Sequence, residues 1–246
     1  GSLAAIEVAQ ILAENRMTTK HPLEVIVFQN EEGGKQGSRF ISGEFQGKDF
    51  DLTNASGKSI RDGVRFLGGD PNRYTEVRRE KGSIAGYLEL HIEQGGTLER
   101  DRIQIGEVEG IVGIGWWNVE VAGFANHAGT TPMDQRQDAL VPAARFVEAV
   151  HSIARSIAGR QVATVGKLQA YPGARNVIPG RVSWSLEIRD LDAKKISDVH
   201  DAIRAEAAKI AEARQTPIRF AELQVASAPA PTDERMRRII ADAAAS

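Results

Sequence analysis

Hydrophobic periodicity divides the chain into two kinds of segment. Residues 3–15, rich in Ala, Leu, Ile and Glu, predict a helix covered on more than one side. Residues 23–28 form a short apolar run with β-branched members, the pattern of a strand buried on both faces. The run stops at Asn30-Glu31-Glu32-Gly33-Gly34, and a second helix is expected over 35–42. Helix, buried strand, polar turn and helix follow one another as in an α/β layered domain. A polar stretch over 44–57 leads to a short helix at 59–66. Residues 86–93 then alternate, with Leu88, Leu90 and Ile92 on one face and Glu89, His91 and Glu93 on the other.

Past Gly95-Gly96 the rhythm changes, and successive strands are expected at 103–113 and 116–123. Over 136–157 apolar residues fall at 139, 143, 146, 150, 153 and 157, which predicts a strongly amphipathic helix. Strands at 161–170 and 181–189 follow, the second with Val182, Trp184, Leu186 and Ile188 facing one way. Asp192 stands where it can cap a helix whose buried stripe is Ile196, Val199, Ile203, Ala207 and Ile210. A strand at 218–225 closes the set. From about 112 to 225 the order is β-β-α-β-β-α-β, a unit of helices on an antiparallel sheet inserted into something else. Ala228-Pro229-Ala230-Pro231 is a stiff connector out of it, and a helix over 233–245 begins a return. The expected division is therefore 1–111, the first part of an α/β domain; 112–225, the inserted α+β unit; and 226–246, the start of the return.

Composition narrows the chemistry more than the fold. With 246 residues there is room for one large domain or two modest ones. A hydrophobic share of 41% and a charged share of 26% are ordinary for a soluble globular protein. The formal charge of -2 gives no electrostatic reason to expect nucleic acid or an anionic membrane as partner. No apolar run is long enough to span a bilayer, and a cytoplasmic location is the expectation. Zero cysteines exclude thiolate sites, so any metal must be held by His, Asp and Glu.

Five segments carry candidate chemistry. Glu31 and Glu32 follow the end of an expected buried strand, where open α/β sheets place their active sites. Adjacent carboxylates suit two jobs, one ligating a metal and the other handling protons, although a solvated acidic turn has the same sequence. His91 lies on the polar face of its segment and is followed by Gln94-Gly95-Gly96; it reads as a metal ligand or as a surface histidine in an acidic patch. The run Asn126-His127-Ala128-Gly129-Thr130-Thr131-Pro132-Met133 is a loop between strand and helix, dense in hydrogen-bonding groups. Asn176, in Asn176-Val177-Ile178-Pro179-Gly180, suits either a turn or a binding role. Arg189 is an exposed arginine or a two-pronged clamp for a substrate carboxylate. His21, His151 and His200 read as structural or exposed.

Taken in order, Asn30-Glu31-Glu32-Gly33, Leu90-His91-Ile92-Glu93-Gln94-Gly95, the 126–133 run and 176–180 resemble one family, the M20 peptidase-type metal-dependent amidohydrolases. Within it the His91 and His127 motifs resemble the N-carbamoyl-L-amino-acid hydrolase and allantoate amidohydrolase (β-ureidopropionase-like) branch. The resemblance covers nearly the whole chain. It implies a phosphorylase/hydrolase-like α/β zinc-peptidase domain carrying an inserted α+β lid and dimerisation domain of antiparallel strands and two helices. It implies a two-metal site, zinc or else manganese, cobalt or nickel, with Glu32 and His91 as ligands and Glu31 as the base acting on the metal-bridging water. It makes His127 a lid residue that reaches the partner subunit's active site in a homodimer to stabilise an oxyanion. It makes Gln94, Asn176 and Arg189 substrate-binding, with Arg189 the carboxylate anchor. The substrate implied is a small N-carbamoyl amino acid or related ureido compound. Allantoate hydrolysis, aminoacylase or dipeptidase activity, and a non-catalytic lid or binding fragment are the alternatives. The family's His-x-Asp ligand motif, the Asp after it and a last His do not occur within these 246 residues, so the chain is expected to be part of a longer protein.

Overall fold

The structure, a computed structural model, describes residues 1–54 and 56–245, and over 224–226 the backbone alone. Ala55, inside the polar stretch 44–57, and Ser246, at the end of the returning segment, lie outside the described residues. The chain divides into two compact units, Gly1–Gln104 and Ile105–Ser246.

The first unit holds α1 (Ser2–Glu14), α2 (Glu31–Gly34), α3 (Gln36–Ser42), α4 (Ile60–Phe66) and α5 (Thr97–Asp101), with 3-10 turns at Gly47–Asp51 and Pro71–Val77. Its packed centre is aromatic. Phe45 and Phe50 are buried, their rings 4.8 Å apart and edge to face, and Tyr74 stands 5.2 Å from Phe50. Arg39 donates to Asp49 at 2.7 Å beside this cluster. Ser59 caps α4 by accepting from the Asp62 amide, and Asp62 returns the bond to the Ser59 amide.

Two expectations change here. Residues 23–28 and 86–93 run without strand pairing, not as the fully buried strand and the two-faced alternating strand that their patterns predict. A strand buried on both faces needs hydrogen-bonded neighbours along its edges and a layer over each side. Neither condition holds among the described residues of this unit: Val27 is 55% exposed and Ile92 76%. The helices at 3–15, 35–42 and 59–66 do form, because a helix satisfies its backbone internally, but the first lacks the cover expected of it: none of its residues is buried, and Leu3 is 83% exposed.

The second unit is built on a five-stranded sheet. Its elements are β1 (Gly110–Ile111), β2 (Gly113–Ala122), α6 (Leu140–Ser156), β3 (Val162–Thr164), β4 (Leu168–Tyr171), β5 (Arg181–Asp190), α7 (Ala193–Arg214), β6 (Ile218–Ser227), β7 (Ala230–Pro231) and α8 (Glu234–Ala244). β2 and β5 pair antiparallel over their full length, from Gly113 opposite Asp190 to Ala122 opposite Arg181. β6 adds antiparallel to the other edge of β2, while β3 and β4 share the outer edge of β5. Strict alternation places Val119, Val121, Val182, Trp184, Leu186 and Ile188 on one face, where they meet Phe146 and Val150 of α6 and Val199 and Ile203 of α7.

The expected strand at 161–170 is in fact two. Thr164 pairs with Glu187 and Leu168 with Trp184, so four steps on one strand face three on the other, and a bulge absorbs the extra residue. The expected strand at 103–113 shrinks to β1, which among the described residues pairs with β7 alone; Pro231 has no amide to extend that ribbon.

His200 on α7 lies against the inner face of this sheet. Its ring stacks on Trp117 at 4.1 Å and meets Phe220 edge-on at 5.8 Å. Its Nε2 is buried without a hydrogen-bond partner among the described residues. Burial, reinforced by Arg204 and opposed by Asp201 and Glu222, holds the imidazole below its ordinary value. The folded chain therefore binds fewer protons than the unfolded chain between that depressed value and about 6.5. The His200 contribution is complete above that window and is lost as pH falls through it. Urea midpoints between about pH 7.5 and about pH 5 should fall on acidification, and less steeply for His200→Phe. Identical slopes would contradict the buried neutral imidazole.

Candidate active site

Glu31 and Glu32 open the single turn of α2, and the loop that presents them is tied at its base. Asn30 is left-handed at φ 51° and Lys35 at φ 57°, both non-glycine residues in a region they occupy only when their surroundings hold them there. The Lys35 amide donates to the Asn30 carbonyl at 2.9 Å, and the Gly37 amide to that of Gln29 at 3.1 Å. The Asn30 side chain reaches Gln36 at 2.5 Å, and a Cβ at Gly33 would collide with it, which accounts for the glycine. Both carboxylates are left facing solvent.

His91 has a defined orientation. Its Nδ1 lies 2.6 Å from the Ile92 carbonyl oxygen. A carbonyl can only accept, so Nδ1 carries a proton, and in the neutral ring Nε2 keeps the bare lone pair a metal ligand needs. The acidic residues flanking it are engaged elsewhere. Glu93 accepts from the Thr97 and Leu98 amides at 2.7 and 3.0 Å, capping α5. Glu89 accepts from the Tyr87 hydroxyl at 2.6 Å; burial, then this carboxylate, push that phenol up to about 12. Gln94 follows in a left-handed conformation at φ 55°.

These donors suit a divalent cation chemically, but they do not complete a site. Among the described residues no three His, Cys, Asp or Glu side chains form a group that could hold a metal ion. Catalytic zinc sites take about three protein ligands.

In the second unit the ladder between β2 and β5 runs on past the strands themselves. The Gly123 amide donates to the Gly180 carbonyl at 2.8 Å, Ile178 to Asn126 at 2.8 Å and Ala128 to Asn176 at 2.9 Å, with His127 bridged to Val177. His127 and Asn176, read from separate motifs, are thus zipped side by side. The Asn126 side chain accepts from the His127 amide at 2.9 Å. The imidazole Nδ1 receives the Gly129 amide at 3.1 Å and lies 3.2 Å from the Thr130 hydroxyl. An amide N–H can only donate, so here the ring proton sits on Nε2, and the exposed edge of His127 is a donor. His91 and His127 hold opposite tautomers.

Arg189 is already engaged. Its Nε and Nη2 donate to the two oxygens of Glu187 at 2.7 and 3.0 Å, and the indole of Trp116, directly across the ladder, donates to the same carboxylate. The Arg189 bond, with help from Trp116, holds Glu187 below the usual carboxylate range despite its partial burial. Among the described residues Nη1 of the guanidinium has no acceptor and remains for another. Arg189 also stands far from His127: the extended run from Arg181 to Arg189 alone covers roughly 26 Å. Sequence reasoning passed over Glu187, Trp116 and Arg136. The two-residue spacing of Glu187 and Arg189 on one strand face was the legible signal for the first, whereas Trp116 required the strand register.

A family model described as Peptidase family M20/M25/M40 matches residues 1–245. The chain belongs to this family. Peptidases of the M20 type are generally metal-dependent. An N-carbamoyl-L-amino acid amidohydrolase of Geobacillus stearothermophilus is 39% identical over 229 residues, covering 91% of this chain and 56% of that protein. An allantoate deiminase of Arabidopsis thaliana is 32% identical over 219 residues, covering 78% of this chain and 42% of its own length. The crystal structure of an amidase of the hydantoinase/carbamoylase family from Burkholderia multivorans superposes with a TM-score of 0.88 at 32% identity, covering 100% of this chain and 60% of that one. The mixed α/β architecture is therefore that of M20 hydrolases, and the chain spans about half the length of the curated relatives it matches.

The Glu187 cluster has its own test. Trp116 donates into the carboxylate, so its indole proton resonance should follow Glu187 protonation with a midpoint below that of an ordinary glutamate. Arg189→Ala removes the largest cause of the shift and should raise that midpoint; no movement would contradict the assignment.

Proposed function

We propose that the whole protein hydrolyses the carbamoyl C–N bond of N-carbamoyl-L-amino acids or of a related ureido substrate. The observation that carries this reading is the pair of opposed tautomers: a lone pair on His91 Nε2 and a proton on His127 Nε2. One edge suits a ligand, the other an oxyanion donor. Amidohydrolases acting on N-carbamoyl-L-amino acids among the relatives lend support from a separate direction.

In this proposal Glu31 takes the proton of the attacking water and passes it to the departing nitrogen as the C–N bond opens. His127 Nε2–H donates to the oxygen of the tetrahedral intermediate. Gln94 and Asn176 orient the ureido group, and Arg189 receives the substrate carboxylate on the guanidinium edge that Glu187 leaves open. Glu32 and His91 contribute two ligands to a divalent cation, zinc or else manganese, cobalt or nickel, which when bound would polarise the carbonyl and lower the pKa of water.

Residues 112–225 then act as the lid and dimerisation domain of a cytoplasmic homodimer, between the α/β segments 1–111 and 226–246. The length of β5 supports the dimer. Arg189 and His127 lie further apart than a small ureido substrate can bridge, so the two serve one substrate only if they come from different subunits. Allantoate is the alternative substrate, supported by the deiminase relatives. A non-catalytic lid or binding role is the alternative for this chain alone, favoured by the incomplete donor set. Glu31→Gln in the whole protein should reduce turnover by about 100-fold or more while metal content stays near that of the wild type. Undiminished turnover would remove Glu31 from the base role.

A further inference from the structure

Arg136 follows the His127 loop in sequence and folds back beneath it. Its Nη2 donates to the Ala128 carbonyl at 2.6 Å and its Nε to the Thr131 carbonyl at 3.0 Å, the side chain being half-buried. The Ala128 carbonyl and the Gly129 amide belong to one peptide plane, in which C=O and N–H point in opposite directions. A guanidinium that holds the oxygen therefore fixes the direction of the hydrogen, and that hydrogen points at His127 Nδ1. Polarisation acts the same way, since a charged donor on the carbonyl makes the N–H of the same peptide a stronger donor. The second bond closes the turn. Thr131, whose carbonyl Arg136 also grips, returns its own amide and hydroxyl to the His127 carbonyl at 3.2 and 2.7 Å.

We infer that Arg136 is the positioning residue of His127: by anchoring the 128–129 peptide it keeps the imidazole proton on Nε2, the edge that faces the substrate oxygen in the proposed reaction. The inference rests on the reading of His127 as an oxyanion donor for its catalytic meaning, but the tautomer itself is a property of this chain. Lysine is a poor substitute, because a single ammonium lacks the planar fork that spans the two carbonyls.

The test is long-range proton–nitrogen correlation of the histidine rings in this chain, with the His127 signals identified by their loss in His127→Gln. The wild type should show one His127 tautomer, protonated at Nε2. Arg136→Gln should show a mixture of tautomers, and Arg136→Lys a smaller loss. A wild-type ring already divided between tautomers, or a folded Arg136→Gln that keeps the single one, would overturn the inference. If neither variant folds, Arg136 is merely structural and the inference also fails. Turnover by the whole protein separates this from the functional reading: His127→Gln should lower kcat by about 100-fold or more and Arg136→Gln by a smaller factor, each with little change in KM. If His127→Gln retains full turnover, the oxyanion role fails while the tautomer result still decides Arg136.

Discussion

The register between β2 and β5 is the constraint on which the candidate chemistry of the second unit depends. It is continuous from Gly113–Asp190 to Ala122–Arg181, and its hydrogen bonds carry on through the loops beyond. A slip by one residue would turn Val182, Trp184, Leu186 and Ile188 out of the core, so the register is fixed by the buried face. Everything polar follows from it. At one end the ladder sets the loop of His127 beside that of Asn176; at the other it sets Trp116 across from Glu187, the carboxylate that Arg189 grips. A rigid strand thus holds His127 and Arg189 apart by a distance that a single small molecule does not cover.

Local groups then decide the state of each histidine. The backbone offers His91 an acceptor and His127 a donor, and the two rings answer with opposite tautomers. Each choice follows from which end of a peptide group lies beside Nδ1. The carboxylates tell a similar story of allocation. Glu93 and Glu89 are occupied by a helix cap and a tyrosine hydroxyl, while Glu31 and Glu32 stay open to solvent on a loop held by two left-handed residues.

Much of the second unit was legible in the sequence, because its elements bury one face and therefore carry a period. The stripe at 139, 143, 146, 150, 153 and 157 is the stripe that packs in α6, and the alternation of β5 is the alternation of the core. The bulge between β3 and β4 was not legible, since Val165-Gly166-Lys167 continues an apolar-polar pattern that hides the extra residue. In the first unit the apolar run at 23–28 and the alternation at 86–93 predict strands that do not pair: composition reports what a segment can bury, not what stands beside it. The site followed the same division. Motif residues such as His127 and Asn176 could be found one by one, whereas the peptide-plane link through Arg136 and the Trp116–Glu187 contact exist only once the backbone is folded.

The most direct measurement mixes two variants of the whole protein, Glu31→Gln and His127→Gln, and assays the mixture against each variant alone on N-carbamoyl-L-amino acids. If His127 acts in the partner's site, one site of each hybrid combines an intact Glu31 with an intact His127. The random mixture should then recover about a quarter of wild-type turnover, from half of the dimers with one working site each. Recovery no greater than that of either parent alone would contradict the account.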